Sequence, residues 1–182
     1  GTDNGAYVSF NKGKSWEAFS NGLPNVAFHD IVIQTEENDL LLGTHGRSIY
    51  LSNISLLQNI EEDKKVINDI ESLRASSRWG SSWSQWGKTY EPSIDVQFFN
   101  PKAEKVTISI QTEDGTELNN YQIDADKGVN VFEYDVTVSE KGKKAMAKKD
   151  QEISEAKNGN YYLPKGNYSI DINGNKKEFV VK

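Results

Sequence analysis

The side chains that could do chemistry are few and gather in two places. Trp79, Trp83 and Trp86 fall at i, i+4 and i+7 within a serine- and glycine-rich run, 75–87. An indole has two uses there: it can bury ~150–250 Å² against a folded body, or stand out as a flat platform for the apolar face of a sugar ring. A flexible linker has no need of three tryptophans. They are therefore expected to pack as a bridge between two lobes, with a sugar-stacking platform as the alternative. The other place is Gly43-Thr44-His45-Gly46-Arg47, where an imidazole and a guanidinium share one turn and offer ligand contacts. His29 and Asp30 could act as a base and its orienting carboxylate only by pointing the same way, and neighbours along a strand point to opposite faces.

No complete catalytic set emerges from the remaining residues. Glycoside hydrolysis in its common form needs two carboxylates flanking the bond, one with a raised pKa. Asp3, Asp30 and Asp39 instead sit beside turn residues and read as caps or solvated groups. The chain has no cysteine, hence no disulfide, thiolate or Cys-ligated zinc. Its two histidines supply at most half of a tetrahedral metal site. Asp171, Asn173, Asn175 and Glu178 alternate like calcium ligands, but an EF-type loop needs glycine sixth and a carboxylate twelfth. Gly174 stands fourth and Glu178 eighth, and a hairpin turn accounts for the glycine. Neither a metal nor a cofactor is expected. Arginine is limited to Arg47, Arg74 and Arg78, so bidentate anion clamps are few. The 27 acidic and 21 basic side chains among 182 residues give a net charge of −6, the wrong sign for a nucleic-acid footprint. No apolar run approaches the ~18 residues of a membrane span.

These side chains depend on elements to hold them. Residues 1–55 read as short strands at 6–10, 29–33, 39–42 and 48–52. Turn clusters Asn11-Lys12-Gly13, Ser20-Asn21-Gly22 and Glu37-Asn38-Asp39 separate them at antiparallel spacing. Beyond them Ile54, Leu57 and Ile60, then Val66, Ile67, Ile70 and Leu73, recur at helical intervals, so 56–90 is expected to be a helical and Trp-rich connector. From 91 to 182 the period of two returns in Ile94, Val96 and Phe98, in Val106, Ile108 and Ile110, and in Val129, Val131 and Phe132 leading to Tyr134 and Val136. Glu113-Asp114-Gly115-Thr116 and Ile172-Asn173-Gly174-Asn175 are hairpin turns. With strands at 121–123, 161–163, 168–172 and 179–181, the count reaches roughly seven, which suits an immunoglobulin-like sandwich. Lys141, Lys143, Lys144, Lys148 and Lys149, followed by Asp150, Glu152 and Glu155, mark a charged insertion at 139–158, a solvated loop or partly helical.

Residues Ser9-Phe10-Asn11-Lys12-Gly13-Lys14-Ser15-Trp16 resemble the Asp-box of BNR-repeat β-propellers, Ser-x-Asp-x-Gly-x-Thr-Trp, with Asn11 in the Asp position and Ser15 in the Thr position. In that family the box is a structural fastener. Ser9, Asn11, Gly13, Ser15 and Trp16 would then close a turn between strands, Gly13 taking a conformation other residues resist and Trp16 packing beneath. Gly1-Thr2-Asp3-Asn4-Gly5 and Gly43-Thr44-His45-Gly46-Arg47 repeat one layout about forty residues apart, the period of a four-stranded blade. In the C-terminal part, Phe132-Glu133-Tyr134-Asp135-Val136, Leu163-Pro164-Lys165-Gly166-Asn167-Tyr168 and Asn173-Gly174-Asn175 are similar to the immunoglobulin- or fibronectin-like domain that follows the propeller in secreted bacterial proteins labelled as sortilin-type or BNR-repeat glycosyl hydrolases.

The resemblance implies a mostly β chain in three parts. They are a partial β-propeller of about one blade at 1–55, the connector at 56–90, and an immunoglobulin-like antiparallel β-sandwich at 91–182. It implies a secreted, periplasmic or cell-surface setting and a noncatalytic structural or interaction role beside the rest of the parent propeller. The alternative it offers is an accessory carbohydrate-binding part of a glycoside hydrolase, holding polysaccharide, and another protein is a further candidate partner. His45 and Arg47 could face the channel where propeller ligands bind; the alternative is that Arg47 bridges neighbouring blades through backbone carbonyls and His45 shapes the turn. Sialidase members of the family use an arginine cluster, which Arg47 alone does not make. A partial blade exposes strand edges, which are expected to pair with another chain or dock on a neighbouring lobe. Gly1 begins neither a signal peptide nor a natural start, so the chain is expected to be cut from a longer protein.

Overall fold

The computed structural model describes residues 1–19, 22–60 and 64–182; Ser20 and Asn21 of the expected second turn lie outside them. The chain is mostly β, in several antiparallel sheets, and divides into two compact units, Gly1–Lys64 and Lys65–Lys182.

In the first unit, β1 (Tyr7–Val8) and β2 (Glu17–Ala18) form a short hairpin. Strands β3 (Phe28–Gln34), β4 (Asp39–Thr44) and β5 (Ile49–Asn53) follow as a three-stranded meander, and one turn of helix, α1 (Ser55–Gln58), ends it. The β-branched run Ile31-Val32-Ile33 favours a pleated strand. Asn38 closes the β3–β4 turn at φ 58°, a region asparagine tolerates, and the Asn53 amide donates to the Glu37 carbonyl at 2.7 Å. Ala6, Phe28 and Leu42 form a small buried cluster with Phe19, Leu23, Val26, Leu40 and Tyr50 leaning on it, and Ile54 and Leu56 are buried besides.

The second unit runs through β6 (Val66–Ile67), β7 (Ser81–Ser82), β8 (Thr89–Tyr90), β9 (Ile94–Asn100), β10 (Glu104–Thr112), β11 (Glu117–Ala125), β12 (Gly128–Tyr134), α2 (Glu140–Ala147), β13 (Gly166–Ile172) and β14 (Asn175–Val181). Two sheets result, ordered β11-β10-β13-β14 and β12-β9-β6, with β7 and β8 as a separate hairpin. The buried faces of both sheets feed one core that includes Val96, Phe98, Ile108, Leu118, Tyr134 and Ile170. Tyr121 of β11 meets Phe132 of β12 within it, ring centroids 5.0 Å apart. Both expected hairpins form, and Asn173 and Gly174 take φ values of 50° and 91°, as a tight turn of this kind demands.

Four expectations need correction. The helical stretch read from Val66, Ile67, Ile70 and Leu73 is extended chain: β6 pairs with β9, and Leu73 exchanges hydrogen bonds with Val180 at 2.9 Å and Lys182 at 2.8 Å. So short a helix, with β-branched residues at its start, is marginal alone, whereas the sheet edges satisfy the same backbone groups. Val129 and Val131 point outward, because β12 keeps the phase of Phe132, Tyr134 and Val136. Residues 161–163 make only isolated bridges, and β6 supplies the seventh strand of the two sheets. The three tryptophans do not form one packed bridge, since Trp79 is buried while Trp83 and Trp86 are exposed.

The charged insertion contains α2, capped by Ser139, whose hydroxyl accepts from the Gly142 N–H at 3.1 Å and donates to the Leu118 carbonyl at 2.7 Å. Met146 is buried beneath it. A methyl group at Gly142 would lie 2.2 Å from the Leu118 carbonyl oxygen, so glycine is what lets the helix lie against β11.

Candidate functional site

The loop between β1 and β2 is held by its own side chains. The Asn11 carboxamide oxygen accepts from the Ser15 N–H at 2.9 Å and from the Ser9 hydroxyl at 3.2 Å, and its amide donates to the Ser15 hydroxyl at 2.7 Å. Ser9 in turn accepts from the Gly13 N–H at 2.7 Å, and Gly13 sits at φ 83°. These bonds satisfy a turn that no neighbouring strand pairs. Trp16 departs from expectation: its ring passes Gly13 but stays 62% exposed instead of packing beneath the turn.

The two Gly-Thr segments close alike. Thr2 donates both its N–H and its hydroxyl to the Gly5 carbonyl, at 2.9 and 3.0 Å. Thr44 donates the same two groups to the Ser48 carbonyl, at 3.2 and 2.5 Å. In the second copy, Gly46 and Ser48 both take positive φ, which turns His45 and Arg47 outward to solvent. A register shift between Phe28 and Asp30 leaves His29 without a cross-strand partner, and its ring meets His45 edge-on at 5.3 Å. The chain's two histidines are thus neighbours, a pairing that only the bulge produces. Arg47 makes no ion pair or hydrogen bond among the described residues. Asp39 accepts from the Asn53 amide at 3.3 Å, a structural use. Among the described residues, no group of three or more His, Asp or Glu is placed to hold a metal.

The second cluster separates into an anchor and a display. Trp79 packs edge-on against Tyr162 at 5.8 Å, and the Tyr162 hydroxyl accepts from the Asn158 amide at 2.9 Å. Gly80, at φ 72°, passes so close to Asn158 and Ala156 that a methyl group there would meet the Asn158 side-chain oxygen at 2.4 Å. The hairpin that follows, Ser81 opposite Tyr90 and Ser82 opposite Thr89, carries Trp83 and Trp86 outward, 86% and 89% exposed. The Arg78 guanidinium stands 5.2 Å from the Trp83 ring centroid. Tyr90, half exposed at the hairpin base, was not singled out by sequence; its place opposite Ser81 depends on pairing.

The first unit also carries apolar surface. Cross-strand register puts Ile31, Leu42 and Tyr50, with Ile33 and Leu40, on one face of the meander. Val32, Leu41 and Leu51, with Ile49, fall on the other. The first face opens into a cleft of about 390 Å³ shared with Ala6, Val8 and Phe19. On the second, Ile49 and Leu51 are 71% and 66% exposed. Uninterrupted Ile31-Val32-Ile33 and Leu40-Leu41-Leu42 were the available signal, since a strand covered on both faces loses its alternation.

Shifted titrations belong to groups that hold the second unit together. The Lys149 ammonium, aided by Thr112 and Thr116, holds Asp114 well below the usual carboxylate range, and Lys65 with Lys102 lowers Glu104. Asn120 and Lys141 lower Glu117. Burial pushes the Tyr121 hydroxyl up to about 12, with Asp135 adding to the effect. Comparison with family models, curated proteins and solved structures returns no match.

Proposed function

We propose that this chain is a noncatalytic segment of a secreted or cell-surface β-propeller protein. Its first unit is the end of the propeller and its second an immunoglobulin-like sandwich with a structural or interaction role. The observation that carries the reading is the meander's two apolar faces, Ile31, Ile33 and Leu40 on one and Val32, Leu41, Ile49 and Leu51 on the other. A sheet that meets solvent on one side alternates polar and apolar residues; one that needs cover on both reads as continuous apolar runs. Radially stacked blades provide that double cover, and the rest of the parent propeller is the partner that supplies it. The Asn11 fastener and the matched closures at Thr2 and Thr44 support the same reading.

The test uses the chain's lack of cysteine. Ile49→Cys or Leu51→Cys, placed singly in this chain and in the longer protein that contains it, is labelled with a maleimide. Labelling in the longer protein is expected to slow at least tenfold; equal rates in the two would remove the reading. A second role is favoured by one observation, the exposure of Trp83 and Trp86: an accessory carbohydrate-holding surface on the second unit.

A further inference from the structure

We propose that the β7–β8 hairpin is a binding site for anionic polysaccharide, chains of carboxylate-bearing sugars, with Trp83 and Trp86 as stacking platforms and Arg78 and Lys88 as charge partners. The proposal rests on the carbohydrate reading of this hairpin and goes beyond it in ligand class and in residues. Trp79 drops out of the site, because its buried ring against Tyr162 fixes the base from which the hairpin projects.

Charge decides the ligand class. Residues 72–90 hold Arg74, Arg78 and Lys88 and no acidic residue, within a chain that carries 27 acidic side chains and a net charge of −6. Two of the three arginines fall in this stretch. The nearest following carboxylate, Glu91, accepts from the Asn158 amide at 3.2 Å and is tied to the hairpin's support. A cationic stretch bracketed by Glu71 and Glu91 and carrying no acidic residue between them attracts anions along the long-range field before contact is made. Arg78 stands over one face of the Trp83 ring, 5.2 Å from its centroid, so the guanidinium and the indole share one spot while the ring stays 86% exposed.

The rings decide between a saccharide and a protein. Two indoles on a short hairpin, with Ser82, Ser84, Gln85 and Thr89 around them, offer separate flat platforms ringed by hydroxyl and amide groups. A stable protein interface buries ~800 Å² per partner around a continuous apolar centre. Sugar units present a flat C–H face and a rim of hydroxyls, which is the complement of this surface.

The experiment is affinity gel electrophoresis of the whole chain through gels containing alginate, polygalacturonate, or neutral xyloglucan. Retardation by the anionic polymers is expected, weakening as salt is raised. Trp83→Ala and Trp86→Ala should each weaken it about tenfold, the size of one well-placed aromatic contact. The paired change Arg78→Gln with Lys88→Gln should remove the salt dependence. The far-ultraviolet thermal transition reports that each variant is folded. Equal retardation by xyloglucan and alginate, lost in the tryptophan variants, would overturn the anionic assignment and leave the carbohydrate reading standing. Absence of retardation in every gel would sink both. Sedimentation with phosphatidylglycerol vesicles in place of retardation would reassign the hairpin to lipid.

Discussion

The two units use apolar side chains in opposite ways. In the second, Val96, Phe98, Val106, Ile108, Ile110 and Ile172 are almost wholly enclosed between two sheets. In the first, the buried cluster is only Ala6, Phe28 and Leu42 among the described residues, with Ile54 and Leu56 buried beside the last strand, while Ile31, Val32, Ile33, Ile49 and Leu51 are exposed. Burial of apolar surface contributes ~25 cal/mol per Å², so the second unit holds its stability within itself. The first keeps much of that contribution in reserve for whatever covers its faces. Self-contained and dependent folding can therefore follow one another in one chain with no change in residue types.

Core truncation is where the contrast should be largest. Phe98→Ala is expected to cost about 3–5 kcal/mol and to shift urea unfolding of the second unit. The companion change Leu51→Ala in the first should leave the transition nearly unmoved. Equal costs would erase the distinction between the units. Gly142→Ala is next, at roughly 1–3 kcal/mol, since backbone must yield to the added methyl group; the far-ultraviolet thermal transition measures it. In the first unit, Asn11→Ala removes hydrogen bonds to Ser9 and Ser15 and should cost about 0.5–2 kcal/mol. Faster amide exchange at Gly13 and Ser15, with none in the second unit, would locate the loss.

The smallest effect is electrostatic. Asp114, Glu104 and Glu117 have lowered folded-state pKa values, so their contribution to stability is present above about pH 4 and is lost as pH falls below it. Acid titration of the melting temperature should show the decline, and Lys149→Ala should flatten it slightly, because the Asp114 pair is exposed. An unchanged acid slope would assign the decline to other carboxylates.

Much of this molecule follows from local rules. Ile94, Val96 and Phe98 alternate with Asp95 and Gln97, and the strand buries the expected set. Asp-Gly and Asn-Gly place both hairpin turns because few residues reach their backbone angles. The turn from Ser9 to Ser15, noticed through its resemblance to an Asp-box, is closed by partners lying within four residues of one another. The site was legible in part: the tryptophan run and the His45–Arg47 turn could be named, but not which ring would be buried.

Tertiary structure decided the rest. Val66 to Leu73 became sheet edge because Gln97, Val180 and Lys182 offered backbone partners that no helix of that length could match. Val129 and Val131 faced solvent because Tyr134 and Val136 claimed the core, and a period of two permits only one phase. Trp79 went inward and Trp83 and Trp86 outward because Tyr162 and Asn158, far along the chain, receive only the first. Composition and short-range spacing determine turns, strand texture and net charge. Which apolar groups leave water depends on partners distant in sequence, since burial is a property of the assembled surface and not of the segment that carries it.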